Sequence, residues 1–580
     1  MSKLLLLLAV CAYAAANHDD AGSSTTAAPS KPEAPKPCAP AEAAPVTVTP
    51  AGTIRGSWMQ SRRGRRFQAY RGIHYAQPPV GDLRFQPPVD METYPSEVDA
   101  SKDGPACPLP ADPDYYVDED CLRLNIYTRD NNSTRKRPII FFIHPGGFYS
   151  MTGRSDLFGP HYLMDRDIVL VTINYRLASL GFLSTGDAVA PGNNGFKDQV
   201  SALRWVRRNA AAFGGDPGQV TIAGCSAGSI SLMLHMISPM SKGLFHKGIA
   251  MSASPMGKEP VPPHQLDLAQ KQARILNCPT NSSRAIVDCL KTKTWQELGN
   301  SLLGFWDQFG YDPLSLWAPV IEPDVGQPRF LAVQPDAAVR AGNMHSVPLL
   351  VSQTTDEFFW KAFTVTRNKT LRDRMNKEWE TIAPLSFSLP EANSAAASRR
   401  LKEAYLGGKD VMDTPESEKA LGKLYSDTLI GLQTHRMANL MCRHSAHPVW
   451  YSEFSYIGNN SFYEDAKTGK PVGAAHHDDL IYLFSMGYFR KPIAAHSPPP
   501  PAPQDSDMVD RMTAIWYNFA TRGDPNPSPR DPSPELAGLR WPQMKPEERS
   551  YLRVDKQFSV QQKLHEDRLR VWDELYPMEF

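Results

Sequence analysis

The chain has 580 residues and a mass of 64.4 kDa, with Lys+Arg and Asp+Glu both at 62 and a formal net charge of zero. That balance excludes a global electrostatic pull toward nucleic acid or anionic lipid, and the length is ample for a large core. With no nucleic-acid module and no internal repeat, the composition suits a neutral or small substrate.

The first segment, MSKLLLLLAVCAYAAANHDD, sets Lys3 before an apolar run from Leu4 that gives way to small residues ending at Ala16. This is the layout of a cleaved secretory signal over residues 1–16, the apolar run being shorter than the ~20 residues a spanning helix needs. Residues 17–50 are dominated by Ala, Pro, Ser and Thr and read as a disordered or polyproline-like arm; residues 51–580 read as a single folded domain. A secreted, extracellular glycoprotein without a membrane span is expected, with acceptor sequons at Asn131, Asn132, Asn281, Asn368 and Asn459.

The Arg cluster SRRGRR (61–66) reads as a solvated hairpin edge. Strand-like runs follow at PIIFFIHPGG (138–147), DIVLVTINYRL (167–177), QVTIAG (219–224), FHKGIAMSAS (245–254), VPLLVSQTTDE (347–357) and HPVWYSEFSY (447–456). Several are apolar without alternation, as strands covered on both faces are. Helical patterns fit between them, at 198–214 with Val200, Leu203 and Val206 spaced by three, and at 227–239. The alternation predicts an α/β fold whose central, mostly parallel sheet is flanked by helices. A proline cluster at 498–503 marks a surface loop before the last helices.

In VTIAGCSAGSIS (220–231), Ser226 sits between Gly224 and Gly228, after a strand pattern and before a helical one. Gly-x-Ser-x-Gly is weak alone because its residues are common, but this context is that of a nucleophile elbow. A serine hydroxyl needs a base to take its proton, a carboxylate to orient the base, and donors for the oxyanion. Candidate donors are the amides of Ala227 and of Gly146 and Gly147 in IHPGGF (143–148), Pro145 having no N–H. Among 15 histidines, His476 in PVGAAHHDDLIYLF (471–484) follows a glycine-containing loop, with His477 as its rival. Glu357 in SQTTDEFF (352–359), with Asp356 as the alternative, completes the order Ser, acid, His expected of α/β-hydrolases. No His-Glu-x-x-His, paired Cys-x-x-Cys or P-loop is present, and no cofactor or metal is called for, although His476, His477, Asp478 and Asp479 could in principle hold a cation.

These residues resemble the type-B carboxylesterases, the family that includes cholinesterases and many secreted arthropod esterases. The likeness runs from about Gly52 to the last helices. It rests on FQAYRGIHYAQPPVGDLRF (67–85), EDCLRLNIY (119–127), IHPGGFYS (143–150), NYRLASLGFLS (174–184), AAFGGDPGQVTIAGCSAGS (211–229), TTDEFF (354–359), GAAHHDDL (473–480) and IWYNFATRGDPN (515–526). The resemblance implies an α/β-hydrolase fold and hydrolysis of small-molecule esters through an acyl-enzyme. By position it makes Ser226 the nucleophile, Glu357 the acid, His476 the base, and Gly146, Gly147 and Ala227 the oxyanion donors. It also implies disulfides Cys107 to Cys121 and Cys278 to Cys289, and structural ion pairs Arg84 with Glu119 and Arg176 with Asp198.

Four departures bear on substrate. Cys225 stands where many members carry an acid, and reads as an inert buried thiol. Residues 107–118 lack the tryptophan that cholinesterases use for a quaternary ammonium, which argues against choline esters. The run PLSL (313–316) replaces acyl-pocket aromatics, implying a roomier acyl side. Phe358 replaces the usual glycine after Glu357, which puts the local turn in question. The cysteines left over are Cys38, Cys225 and Cys442; Cys38 is a candidate for an intermolecular disulfide and a homodimer, its alternatives being a bridge to Cys442 or a capped thiol. A carboxylesterase for small to medium apolar esters is the leading expectation. The alternatives are a non-catalytic adhesion protein of the neuroligin or glutactin kind on the same fold, and a lipase or hormone-ester hydrolase differing in pocket shape.

Overall fold

The computed structural model describes residues 43–131, 134–306, 309–310, 312–486, 503–530 and 533–580. The expected signal (1–16), the arm through residue 42 with Cys38, the Asn132 sequon and the prolines at 498–501 lie outside the described residues. The end of the expected arm is not arm. Val46–Thr49 is a strand paired antiparallel with Gly52–Arg55, and Thr47 Oγ1 donates to the Ala212 carbonyl at 2.7 Å. The alternation VTVT, with Thr47 and Thr49 buried, is a β pattern at the end of a Pro- and Ala-rich stretch, so the folded part begins before residue 51.

Eleven strands form the main sheet. In chain order they are β1 (Ser57–Gln60), β2 (Arg66–His74), β3 (Arg123–Thr128), β4 (Arg137–Ile143), β5 (Val169–Ile173), β6 (Gly215–Cys225), β7 (Lys247–Met251), β8 (Leu349–Thr354), β9 (Val449–Phe454), β10 (Ser550–Val554) and β11 (Ser559–Gln562). Across the sheet the order is β11-β10-β9-β8-β7-β6-β4-β5-β3-β2-β1. The stretch from β10 to β5 is parallel throughout, and both margins are antiparallel. This is the expected α/β-hydrolase arrangement.

The unbroken apolar run of β4 has a simple cause. Ile139, Phe141 and Ile143 enter one core while Ile140 and Phe142 enter the core on the opposite face, so neither face can carry polar residues. Helix α1 (Asn194–Asn209), with Val200, Leu203 and Val206, and α2 (Ala227–Ile237) cover the first face; α5 (Pro503–Arg522), with Val509, Trp516 and Phe519, covers the second. Between β8 and β9 the chain makes a helical excursion that includes α3 (Trp360–Thr366) and α4 (Leu432–His444), much of it around a third core. A π-helical turn, Asp427–Gly431, runs directly into α4.

Both disulfides implied by the resemblance are formed, Cys107–Cys121 at 2.04 Å and Cys278–Cys289 at 2.03 Å. Arg84 meets Glu119 at 2.5 Å and Arg176 meets Asp198 at 2.7 Å, as expected. The SRRGRR turn does join the hairpin β1–β2, but it is not all solvated. Arg62, 8% exposed in its side chain, pairs with Asp165 and Asp510, because the turn folds back onto α5 rather than into solvent.

Candidate active site

Parallel sheets gather their functional groups beyond the carboxyl ends of the strands, where loops from neighbouring strands converge. Here β6 ends at Cys225 and α2 begins at Ala227, leaving Ser226 alone to turn the chain, at φ 56° and ψ −119°. Such a backbone is costly for a residue with a Cβ, about 1–3 kcal/mol, and is held by the structure around it. Ser226 N–H donates to the Met251 carbonyl of β7 at 2.8 Å, and its own carbonyl accepts from Ile230 at 3.0 Å. The turn also needs its second glycine: a Cβ on Gly228 would stand 2.1 Å from the Ile143 carbonyl oxygen at the end of β4.

The next strand but one delivers the carboxylate. Past the end of β8, Glu357 Oε1 accepts from the Thr354 amide at 2.7 Å, and the Glu357 carbonyl accepts from the His476 amide at 2.9 Å. The second contact holds the histidine loop against the acid's own turn. His476 Nδ1 then lies 2.5 Å from Glu357 Oε2, and His476 Nε2 lies 3.0 Å from Ser226 Oγ. Three side chains from segments separated by 131 and 119 residues thus form one hydrogen-bonded line. Of the alternatives, Asp356 turns away to Lys423 at 2.6 Å, and His477 lies against the His476 ring, whose own Nε2 makes the contact to the hydroxyl. Phe358, where the turn was in question, has no positive φ, so the backbone there does not require glycine.

The three oxyanion candidates come together. Gly146, Gly147 and Ala227 line the same pocket as Ser226 and His476. As the first residue of α2, Ala227 has no intrahelical acceptor for its N–H.

Burial sets the proton chemistry. It pushes Glu357 up to about 7 and His476 down to about 3, because a charge on either partner is poorly solvated. Beneath them, Asp478 and Asp479 are each pushed up to about 8, also by burial. Asp478 is tied by Ser461 Oγ and by the Phe462 and Ala475 amides, and so shapes the histidine loop. Asp479 has no side-chain donor on either oxygen; only the backbone amides of Leu480 and of Asp479 itself act on its carboxyl, and neither reaches full hydrogen-bond geometry. The Cys225 thiol is buried and raised well above its ordinary value, by desolvation first and then by Asp479 and Glu357, so it is an inert core residue. Among the described residues no cluster of three or more metal-binding side chains is present.

The pocket over Ser226 has an empty volume of about 1070 Å³ including its open mouth. Leu314 and Ser315, from the expected acyl run, line it together with Leu429 and Ile430 of the π-helical turn. An aromatic wall escapes the sequence reading: Phe358, Trp360, Phe462 and Tyr463 also face the cavity. Its only signal is aromatic density in DEFFW (356–360) and NSFYED (460–465), two segments that nothing in the sequence joins.

Comparison with known proteins finds likenesses over nearly the whole chain. The model of the carboxylesterase family matches residues 43–572. Juvenile hormone esterase of Tribolium castaneum is 36% identical over 514 residues, covering 84% of this chain and 85% of that protein. Esterase FE4 of Myzus persicae is 34% identical over 493 residues, covering 82% and 84%. The crystal structure of juvenile hormone esterase from Manduca sexta, with OTFP covalently attached, superposes with a TM-score of 0.79 at 26% identity over 92% of this chain and 99% of that one.

Proposed function

Because this chain belongs to the carboxylesterase family and is a carboxylic ester hydrolase, we propose that it works through an acyl-enzyme on Ser226, with His476 as base and Glu357 as its partner. His476 Nε2 takes the hydroxyl proton as Ser226 Oγ attacks the ester carbonyl. The negative oxygen of the tetrahedral intermediate is held by the amides of Gly146, Gly147 and Ala227. His476 then gives its proton to the departing alcohol oxygen, leaving acyl-Ser226. Water repeats the sequence: His476 takes its proton, the carboxylic acid leaves, and the proton returns to Ser226. Through both halves Glu357 keeps the Nδ1 proton on its side of the ring, so that Nε2 faces the hydroxyl with its lone pair.

The observation that carries this reading is the unbroken line Glu357 Oε2, His476 Nδ1, His476 Nε2, Ser226 Oγ, with both contacts at hydrogen-bond length. Apolar pocket walls favour small to medium apolar esters. A fluorophosphonate probe tests it directly: a single adduct mapped to Ser226, with loss of esterase activity in step, is the expected result. Labelling elsewhere, or full activity after labelling, would remove the assignment.

The same proposal places the protein outside the cell. Among the described residues no helix is long and apolar enough to cross a membrane, and the first 16 residues have the signal layout. Expression of the full chain in insect cells is expected to yield esterase in the medium with an N-terminus after Ala16; retention in the cell would contradict it.

A further inference from the structure

In an acyl transfer the three substituents on the attacked carbon have fixed destinations. With the chemistry proposed above, on which this inference rests, the oxyanion goes to Gly146, Gly147 and Ala227. The alcohol oxygen must approach His476 Nε2 to receive its proton, and the acyl group takes the side that remains. The alcohol therefore leaves along the wall to which the imidazole belongs.

That wall is a run of rings in contact. The Phe358 ring centroid lies 4.4 Å from that of His476, tilted by 34°. His477 lies 3.9 Å away from the His476 ring, and Phe462 meets His477 edge-on at 5.2 Å. Trp360 lies 6.1 Å from Phe358 and extends the wall outward, stacked on Tyr463 at 5.6 Å. Elsewhere the cavity is mixed, with Leu314, Leu429 and Ile430 giving aliphatic surface and Phe148, Tyr149 and Trp317 further rings. The backbone at Phe358 does not demand glycine, since its φ is not positive, and the side chain is only half-buried. Where the resemblance puts a residue without a side chain, this chain puts a benzyl group beside the imidazole.

We propose that Phe358 determines which alcohols this esterase releases: its ring fills the leaving-group side next to His476, so the pocket takes esters of small alcohols and carries the bulk of the substrate on the acyl side. A side chain this size acts by exclusion. A single methylene misfitted in a packed pocket is worth about 10-fold or more in kcat/KM, and a misplaced ring exceeds that.

Two isomeric esters test it. Methyl cyclohexanecarboxylate and cyclohexyl acetate contain the same atoms and put the ring on opposite sides of the carbonyl. After each rate is divided by its hydroxide-catalysed rate, the native enzyme is expected to favour the methyl ester by about 10-fold or more in kcat/KM. Phe358→Ala should bring the ratio to within about threefold by raising kcat/KM for cyclohexyl acetate, while Phe358→Tyr keeps the native preference. A general loss of packing would lower both rates together and leave the ratio in place, which would overturn the proposal. So would a native enzyme that treats the isomers alike or prefers cyclohexyl acetate, a result that needs no variant to fold. Fluorophosphonate titration of Ser226 in the same preparations separates the two layers: labelling with a flat ratio rejects the role of Phe358 alone, and failure to label rejects the site itself.

Discussion

Two of the groups of buried charge in this molecule are treated in opposite ways. Around Arg176, charges are paired. Arg176 gives its backbone N–H, Nε and Nη2 to Asp198 at 3.0, 2.8 and 2.7 Å, and the neighbouring Lys197 meets Glu322 at 2.6 Å. None of these four side chains is more than 3% exposed. Glu357, Asp478 and Asp479 have no lysine or arginine pulling against their burial, whereas Asp356 beside them is paired with Lys423. Burial raises Asp198 as well, but Arg176 and Lys197 pull against it; nothing positive pulls against burial at Asp479, which climbs to about 8. The comparison teaches that burial alone does not make a site. Where an opposite charge answers burial, the result is a rivet; where it goes unanswered, the result is a set of groups with shifted proton affinity, which is what acid–base chemistry uses.

The strongest way to break that distinction is at the serine. Ser226→Ala is expected to lower ester turnover by about 10⁴-fold or more while leaving the melting temperature near that of the native enzyme, because the hydroxyl serves chemistry and not packing. Retained turnover would end the proposed mechanism. The converse change comes next. Arg176→Met strands Asp198 and should cost about 3–5 kcal/mol in a denaturant melt, yet leave kcat per fluorophosphonate-titrated site unchanged. A large drop in kcat per titrated site would show that the two groups are not separate.

Below these lies the pH profile. Between Glu357, raised to about 7, and His476, lowered to about 3, the first proton taken up on acidification enters the pair as a unit. Whether it resides on the carboxyl or the ring, Nε2 loses its lone pair toward Ser226, since a protonated Glu357 donates to Nδ1 and drives the ring proton to Nε2. Activity is therefore expected to be level above pH ~7 and to fall about tenfold per unit below it. A rate flat from about pH 5 to 8, measured as kcat/KM on an ester that does not ionise, would rule this out.

Much of both groups is legible in the amino-acid sequence alone. Strand runs such as 138–147 stand out because a strand buried on both faces cannot place a polar residue anywhere, and the elbow is marked by its two glycines. Arg176 with Asp198 and Glu357 with His476 come through the family likeness; composition and spacing by themselves leave Asp356 and His477 open. What stays hidden has no local signal. The aromatic wall is built by two segments about 100 residues apart that meet only after the helical excursion folds. The strand Val46–Thr49 is masked by composition, since a four-residue alternation is outweighed by the Pro- and Ala-rich stretch around it. Arg62 looks solvated in sequence because the partners that bury it, Asp165 and Asp510, lie in distant loops and helices.

The finest test concerns Asp479, which touches neither Ser226 nor His476 by hydrogen bond. Its folded proton affinity lies above that of the unfolded chain, near 8 against an ordinary 3.8, so the native state binds the proton more tightly. Stability must then fall as pH rises between those values, and above about 8 the whole cost of a buried carboxylate without a cation is present. Asp479→Asn removes that charge but leaves an amide to be satisfied at about 1–3 kcal/mol, so the net gain is small: a rise of a few degrees in melting temperature at pH ~8.5 and little change at pH ~5. The acid limb of the rate profile should not move, because below pH 7 Asp479 is already protonated and exerts no field on Glu357. If the limb instead shifts downward in the variant, Asp479 is ionised in the working enzyme, and the group around Glu357 carries a charge that some cation must answer.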